Sequence, residues 1–137
     1  MSLTLPSPVL RRLEQAARKA AAAAYAPYSK FRVGAAVLAG SGKIFTGCNV
    51  ENASYGLCNC AERTALFAAV AAGERRIKAV AVYTRTAAPT APCGACRQVI
   101  NEFGPRALII SIGNGRKRLE TTLDRLLPAA FGRKNLK

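Results

Sequence analysis

Three cysteines in two short runs constrain this chain more than any other feature. Cys60-Ala61-Glu62 and Pro92-Cys93-Gly94-Ala95-Cys96 carry three thiols and one carboxylate at spacings that suit a zinc ion with an open coordination position. A structural zinc is normally closed by four protein ligands. A catalytic zinc keeps three and leaves the fourth position to water, which the ion's charge makes easier to ionise. A fold that uses this chemistry must bring the two runs together.

Histidine is absent, so no imidazole can bind metal, act as general base or complete a Ser-His or Cys-His pair. Proton transfer falls to a carboxylate, a lysine or a tyrosine. Only seven residues are acidic, and two of them, Glu51 and Glu62, lie in the stretch from Gly47 to Arg63 that leads into the first run. Five cysteines is an odd number, and C-x-x-C in a reducing compartment more often signals metal or redox chemistry than a structural bridge. Taken alone, Cys93-x-x-Cys96 also suits a redox pair or half of a structural zinc site. Cys58 offers an alternative first ligand, but only Cys60 keeps the Cys-x-Glu offset that sets a proton carrier beside the metal. Cys48 reads as a small buried apolar side chain.

Periodicity places these runs on elements. Ser7-Pro8 offers an N-cap and a first-turn proline for an opening helix whose apolar face is Val9, Leu10, Leu13, Ala17 and Ala20 to Ala24, stopped by Pro27. Strands are expected at 33–39 and 43–50, joined through Gly40-Ser41-Gly42, and at 77–84 and 107–112, with a short one after Gly113-Asn114-Gly115. Helices are expected from Glu62 to about Ala72, stopped by Gly73, and from about Cys93 to Phe103, closed by Gly104-Pro105. Thr121-Thr122 with Asp124 reads as a capped helix ending at Pro128. This order implies an α/β fold, a single mixed β-sheet of about five strands sandwiched by helices. Both strand-to-helix handovers carry cysteines, and a helix N-terminus stabilises a thiolate.

At 137 residues, half of them apolar, the chain is long enough for one domain over 1–137. No apolar run approaches the roughly 20 residues of a membrane span, and the N-terminus lacks a signal-peptide pattern. A soluble, cytoplasmic protein is expected, with no membrane partner. The net charge of +14 would attract phosphates. The basic residues are scattered in small groups without interleaved aromatics, so a solvated surface is the favoured reading over a nucleic-acid footprint.

Beyond the cysteine runs, Tyr28-Ser29-Lys30-Phe31-Arg32-Val33-Gly34-Ala35-Ala36, Gly47-Cys48-Asn49-Val50-Glu51-Asn52-Ala53-Ser54-Tyr55-Gly56, Cys60 to Ala65, Pro92 to Gln98 and Leu126 to Gly132 follow in order. Over most of its length the chain resembles the small homotetrameric cytidine deaminase family. The resemblance implies an α/β/α fold of that family, zinc on Cys60, Cys93 and Cys96, and Glu62 as the catalytic group carrying protons between the attacking water, the ring nitrogen and the leaving amine. It implies that Asn49 and Glu51 hold the ribose hydroxyls, that Phe31 packs against base or sugar, and that Ala61 offers its backbone to the base. It further implies that Ala53, Tyr55 and Phe131 reach a neighbouring subunit's pocket in a homo-oligomer, and that Arg63 donates hydrogen bonds to ligand sulfurs. Arg32 and Arg133-Lys134 depart from the family pattern by adding cations. The expected activity is hydrolytic deamination of cytidine and deoxycytidine in pyrimidine salvage. Two alternatives stand beside it: a deaminase of cytosine in nucleotides or polynucleotides, and a nucleic-acid-binding module with structural zinc, which would need Cys48 or Cys58 as fourth ligand.

Overall fold

Small residues let the first hairpin form tightly. β1 (Val33–Ala39) pairs antiparallel with β2 (Ile44–Cys48), and the chain reverses at Gly42, whose φ of 93° is readily reached only without a side chain. This computed structural model describes residues 5–136. β1 also pairs antiparallel with β3 (Ile77–Thr84), which runs parallel to β4 (Leu108–Ile112); β4 pairs antiparallel with β5 (Arg118–Thr122). The result is one five-stranded mixed sheet of order β2-β1-β3-β4-β5. Parallel neighbours need a crossover connection, and between β3 and β4 it contains α3 (Gly94–Phe103).

Strand alternation divides the core into two layers. On one face Ala36, Leu38, Ala79, Ala81, Ile110 and Ile112 pack against Leu13, Ala17 and Ala21 of α1 (Ser7–Ala20) and the turn after it. On the other, Ala35, Val37, Val80, Val82 and Ile109 meet Ala61, Ala65, Leu66 and Ala69 of α2 (Ala61–Ala71), Ile100 of α3 and Leu123 of α4 (Leu123–Leu126). Leu66, Ile100 and Ile109 are essentially sealed from solvent, and truncating such a side chain to alanine costs about 2–5 kcal/mol.

Two glycines set how closely the helices lie on the sheet. A Cβ on Gly34 would fall 2.0 Å from the Ala17 carbonyl oxygen of α1, and one on Gly47 would fall 2.3 Å from the Ala65 nitrogen and 2.7 Å from the Ala61 oxygen of α2. Gly73 then ends α2 as expected. With φ at 99° it forms a Schellman closure, in which its own N–H reaches the Val70 carbonyl and that of Glu74 reaches the Ala69 carbonyl.

Four local expectations are corrected. The N-cap of α1 is Pro6, not Ser7, and no side chain caps it; Pro8 still falls in the first turn, where a missing N–H costs nothing. Thr121-Thr122 belong to β5, and the helix after them is the single turn α4. Cys48 ends β2 half-buried instead of fully buried. β2 stops at Cys48, so Asn49 and Glu51 lie beyond it, but isolated bridges of Val50 to Tyr25 and Asn59 keep that backbone extended.

Candidate active site

Two helix starts meet at the cysteines. Cys60 is the N-cap of α2, Cys93 is the N-cap of α3 and Cys96 sits in the first turn of α3. Neither cap residue bonds its helix through the side chain, so the unpaired N–H groups of both first turns favour negative charge where the sulfurs lie. The Cys60 and Cys93 sulfurs are 3.7 Å apart and those of Cys93 and Cys96 3.6 Å apart, with all three inside 4.8 Å of one another. Three ligands about 2.3 Å from one tetrahedral ion would be spaced by about 3.8 Å. The thiol triad fits zinc, with no fourth protein ligand in the group.

Charge around the sulfurs is arranged for thiolates. The Arg63 Nη2 donates to the Cys60 sulfur at 3.2 Å. Hydrogen bonds from Cys96 first, and then from Arg63 and Cys93, lower the Cys60 thiol to about 5. Cys96 moves the opposite way, raised by its bond to Cys60 and by burial. The bond from Arg63 to Cys60 raises the Arg63 pKa further and keeps a full cation against the sulfurs; the buried Arg63 Nε has no hydrogen-bond partner among the described residues.

Glu62, the second residue of α2, is 5% exposed. Burial is the chief reason its carboxyl rises to about 7, and the neighbouring Cys60 charge adds to the effect. A carboxyl with that affinity both takes and gives a proton near neutral pH. It lines a cavity of about 380 Å³ together with Cys60, Cys93, Ala61, Arg63, Phe31, Asn49 and Glu51.

At the outer end the side chains are already braced. The Asn49 amide oxygen accepts the Val33 N–H at 2.9 Å, and its nitrogen donates to the Phe31 carbonyl at 2.7 Å. Glu51 accepts the Tyr28 and Ser29 N–H groups at 3.0 and 3.1 Å and the Ser29 hydroxyl. The Ser29 hydroxyl is the first of the causes that hold its carboxyl below the usual range. Ser29, Thr84 and Thr90 also line the cavity, and the sequence pattern gives these three no role. Ser29 lies inside the Tyr28 to Ala36 run, a signal local to the chain; Thr84 and Thr90 join the site only through the folding of β3 and the loop after it.

Ala53, Tyr55 and Phe131 are not brought to this cavity. Tyr55 and Phe131 project into solvent at 74% and 57% exposure. Cys58 lines the cavity but stays outside the thiol triad; its sulfur accepts the Asn52 N–H at 3.3 Å. The alternative first ligand is thereby unsupported, as is a fourth ligand from Cys48.

A mixed sheet that holds three thiols and a buried carboxyl at two helix starts defines a zinc hydrolase with an open metal position. The comparisons narrow the class. Residues 9–112 match the model of the cytidine and deoxycytidylate deaminase zinc-binding region. A cytidine deaminase of Sporosarcina psychrophila is 52% identical over 120 residues, 87% of this chain and 88% of that protein. One of Mycobacterium tuberculosis is 47% identical over 116 residues, 85% of this chain and 84% of that protein. The crystal structure of cytidine deaminase from Burkholderia pseudomallei superposes with a TM-score of 0.85 at 54% identity, covering 88% of this chain and 98% of that one. The chain belongs to the cytidine and deoxycytidylate deaminase family.

Proposed function

We propose that this protein hydrolyses cytidine and deoxycytidine to uridine and deoxyuridine with release of ammonia, with Glu62 as the proton carrier. The observation that carries the reading is Glu62 itself, a buried carboxyl with an affinity near neutrality beside a thiol triad in one cavity. Cys60, Cys93 and Cys96 would hold the zinc, which when bound supplies a Lewis acid that eases ionisation of water.

Glu62 takes a proton from the attacking water as its oxygen adds to the ring carbon that carries the amine, and returns that proton to the adjacent ring nitrogen. It then moves the remaining hydroxyl proton to the amine, which leaves as ammonia while the carbon–oxygen bond becomes a carbonyl. One water is consumed, and the carboxyl ends as it began. Arg63 offsets the negative charge that three thiolates bring. The Ala61 backbone orients the base and Phe31 covers it. Asn49 and Glu51 receive the sugar hydroxyls; the charged Glu51 also disfavours a phosphate at that end, which supports a nucleoside over a nucleotide.

Exposed Tyr55, Leu57 and Phe131 suit an oligomer in which one subunit completes another's pocket, a tetramer by family resemblance. Ala53 would act there as well. The single domain 1–137 would serve pyrimidine salvage in the cytoplasm. No helix among the described residues is long and apolar enough to cross a membrane. The test follows the ultraviolet band of cytidine with the parent protein and with Glu62→Ala carrying equal zinc. Loss of the band with the parent alone is expected; no loss with either, at one zinc per chain, refutes the reading.

A further inference from the structure

The proposed reaction takes a neutral substrate to a neutral product, so it has no use for a charge of +14. A concavity of about 660 Å³ shares no lining residue with the substrate cavity. Five cations line it, Arg75, Arg76, Arg106, Arg133 and Lys134, against two carboxylates, Glu102 and Asp124. All five are exposed, and none forms an ion pair among the described residues, where both pairs belong to Arg118. The substrate cavity has one lining cation, Arg63, and two carboxylates.

Three separate segments deliver these charges, and each is tied down. Arg75 and Arg76 follow the Schellman closure of α2, and Arg75 Nη1 donates to the Val70 carbonyl at 2.9 Å. The Arg76 carbonyl accepts the Gly40 N–H at 2.8 Å. Arg106 follows α3, whose end is fixed where Gly104 meets the Ile77 backbone too closely for any Cβ, at 2.5 Å. The last segment is pinned to α3 by the Gln98 amide, which donates to the Phe131 carbonyl at 2.9 Å, and closes on itself where Asn135 Oδ1 accepts the Gly132 N–H at 2.8 Å. That places Arg133 and Lys134 on the groove's rim. Such a cluster holds its own repulsion until an anion enters.

We propose that this groove is a binding site for clustered phosphates, separate from the deamination site. Its size falls within the roughly 300–1,000 Å³ of small-ligand sites, and arginine forks match phosphate oxygens in pairs. Two sources carry this chemistry, a free polyphosphate and the phosphodiesters of a single strand.

The experiment uses the full chain in its native assembly. Inorganic tripolyphosphate is titrated by calorimetry, and a fluorescein-labelled single-stranded 12-mer by anisotropy across a salt series. Three double variants are compared with the parent: Arg76→Gln with Arg106→Gln, Arg133→Gln with Lys134→Gln, and Arg11→Gln with Arg12→Gln on α1, which removes equal charge away from the groove. The site predicts at least a tenfold loss of affinity in either groove variant and less than threefold in the α1 variant, with cytidine deamination unchanged in the Arg76/Arg106 and α1 variants. Groove-dependent binding of tripolyphosphate alone assigns the free polyphosphate. Groove-dependent binding of the 12-mer, with a salt slope lowered by about 1.4 in the variants, assigns the strand. Equal losses in all three variants, or binding of neither probe by the parent, overturn the proposal.

Discussion

Replacing Gly47 with alanine should damage stability and catalysis together, and the structure says by how much. The added Cβ would stand 2.3 Å from the Ala65 nitrogen, where ordinary contact begins at 3.4 Å. α2 must therefore retreat from β2 by about 1 Å, because backbone on both sides leaves no flexible group to yield. Overpacking of this kind costs about 1–3 kcal/mol. For a chain of 137 residues that lowers the melting midpoint by about 4–10 °C. The same retreat carries Cys60 and Glu62, at the start of α2, out of alignment with Cys93 and Cys96 on α3. A displacement of about 1 Å at reacting groups costs on the order of 100-fold in turnover. Gly34→Ala is the matched control: its Cβ would meet Ala17 of α1 at 2.0 Å, on the opposite face of the sheet. It should melt lower by a similar amount yet keep kcat within about threefold of the parent. Calorimetric melting and steady-state cytidine turnover, with both variants assayed well below their midpoints, decide the matter. Full kcat in Gly47→Ala, or equal loss of kcat in both variants, would refute the reasoning.

Burial lifts Glu62 from 4.5 to about 7 in the metal-free protein, so its protonated form is favoured by folding. That contribution is complete below about pH 4.5 and is lost as pH rises through 7; metal-free Glu62→Gln should therefore gain on the parent by roughly 3 kcal/mol across this window, read by denaturant melts from pH 4.5 to 8. A constant difference between the two would contradict the burial argument. Arg63→Gln should weaken zinc affinity about 10- to 100-fold in a chelator competition, whereas unchanged affinity would remove Arg63 from the charge balance. Ser29→Ala leaves Glu51 without its hydroxyl donor and should raise KM for cytidine about three- to tenfold with kcat nearly constant; a loss confined to kcat would show that Ser29 acts elsewhere. Cys60→Ser should abolish stoichiometric zinc while Cys58→Ser retains it, measured by metal analysis, and the reverse outcome would exchange their roles.

Much of this protein can be read along the chain, because the signals involved are local. Alternation and glycine punctuation give the strands at 33–39 and 77–84 without error, and the cysteine runs fall at helix starts because Cys60 and Cys93 each stand where extended backbone turns into a helix. The zinc triad is legible for the same reason: thiols at fixed offsets, and a carboxylate two residues from one of them, are chemistry written in spacing.

What lies between distant segments is decided only by folding. Sequence spacing cannot show that Thr84 and Thr90 line one cavity with Phe31, since that depends on β1 pairing with β3 and on the crossover beyond it. Nor can it show that Ser29 braces Glu51, or that α4 is a single turn after β5, where pairing with β4 overrides the capping signal of Thr121-Thr122. The basic groups look scattered in one dimension. In three, Arg75, Arg76, Arg106, Arg133 and Lys134 converge because α2 and α3 end on the same side of the sheet and the last segment folds back onto α3. Local propensity and ligand spacing are properties of neighbours in the chain; the shape and field of a cavity are sums over residues that only packing makes neighbours.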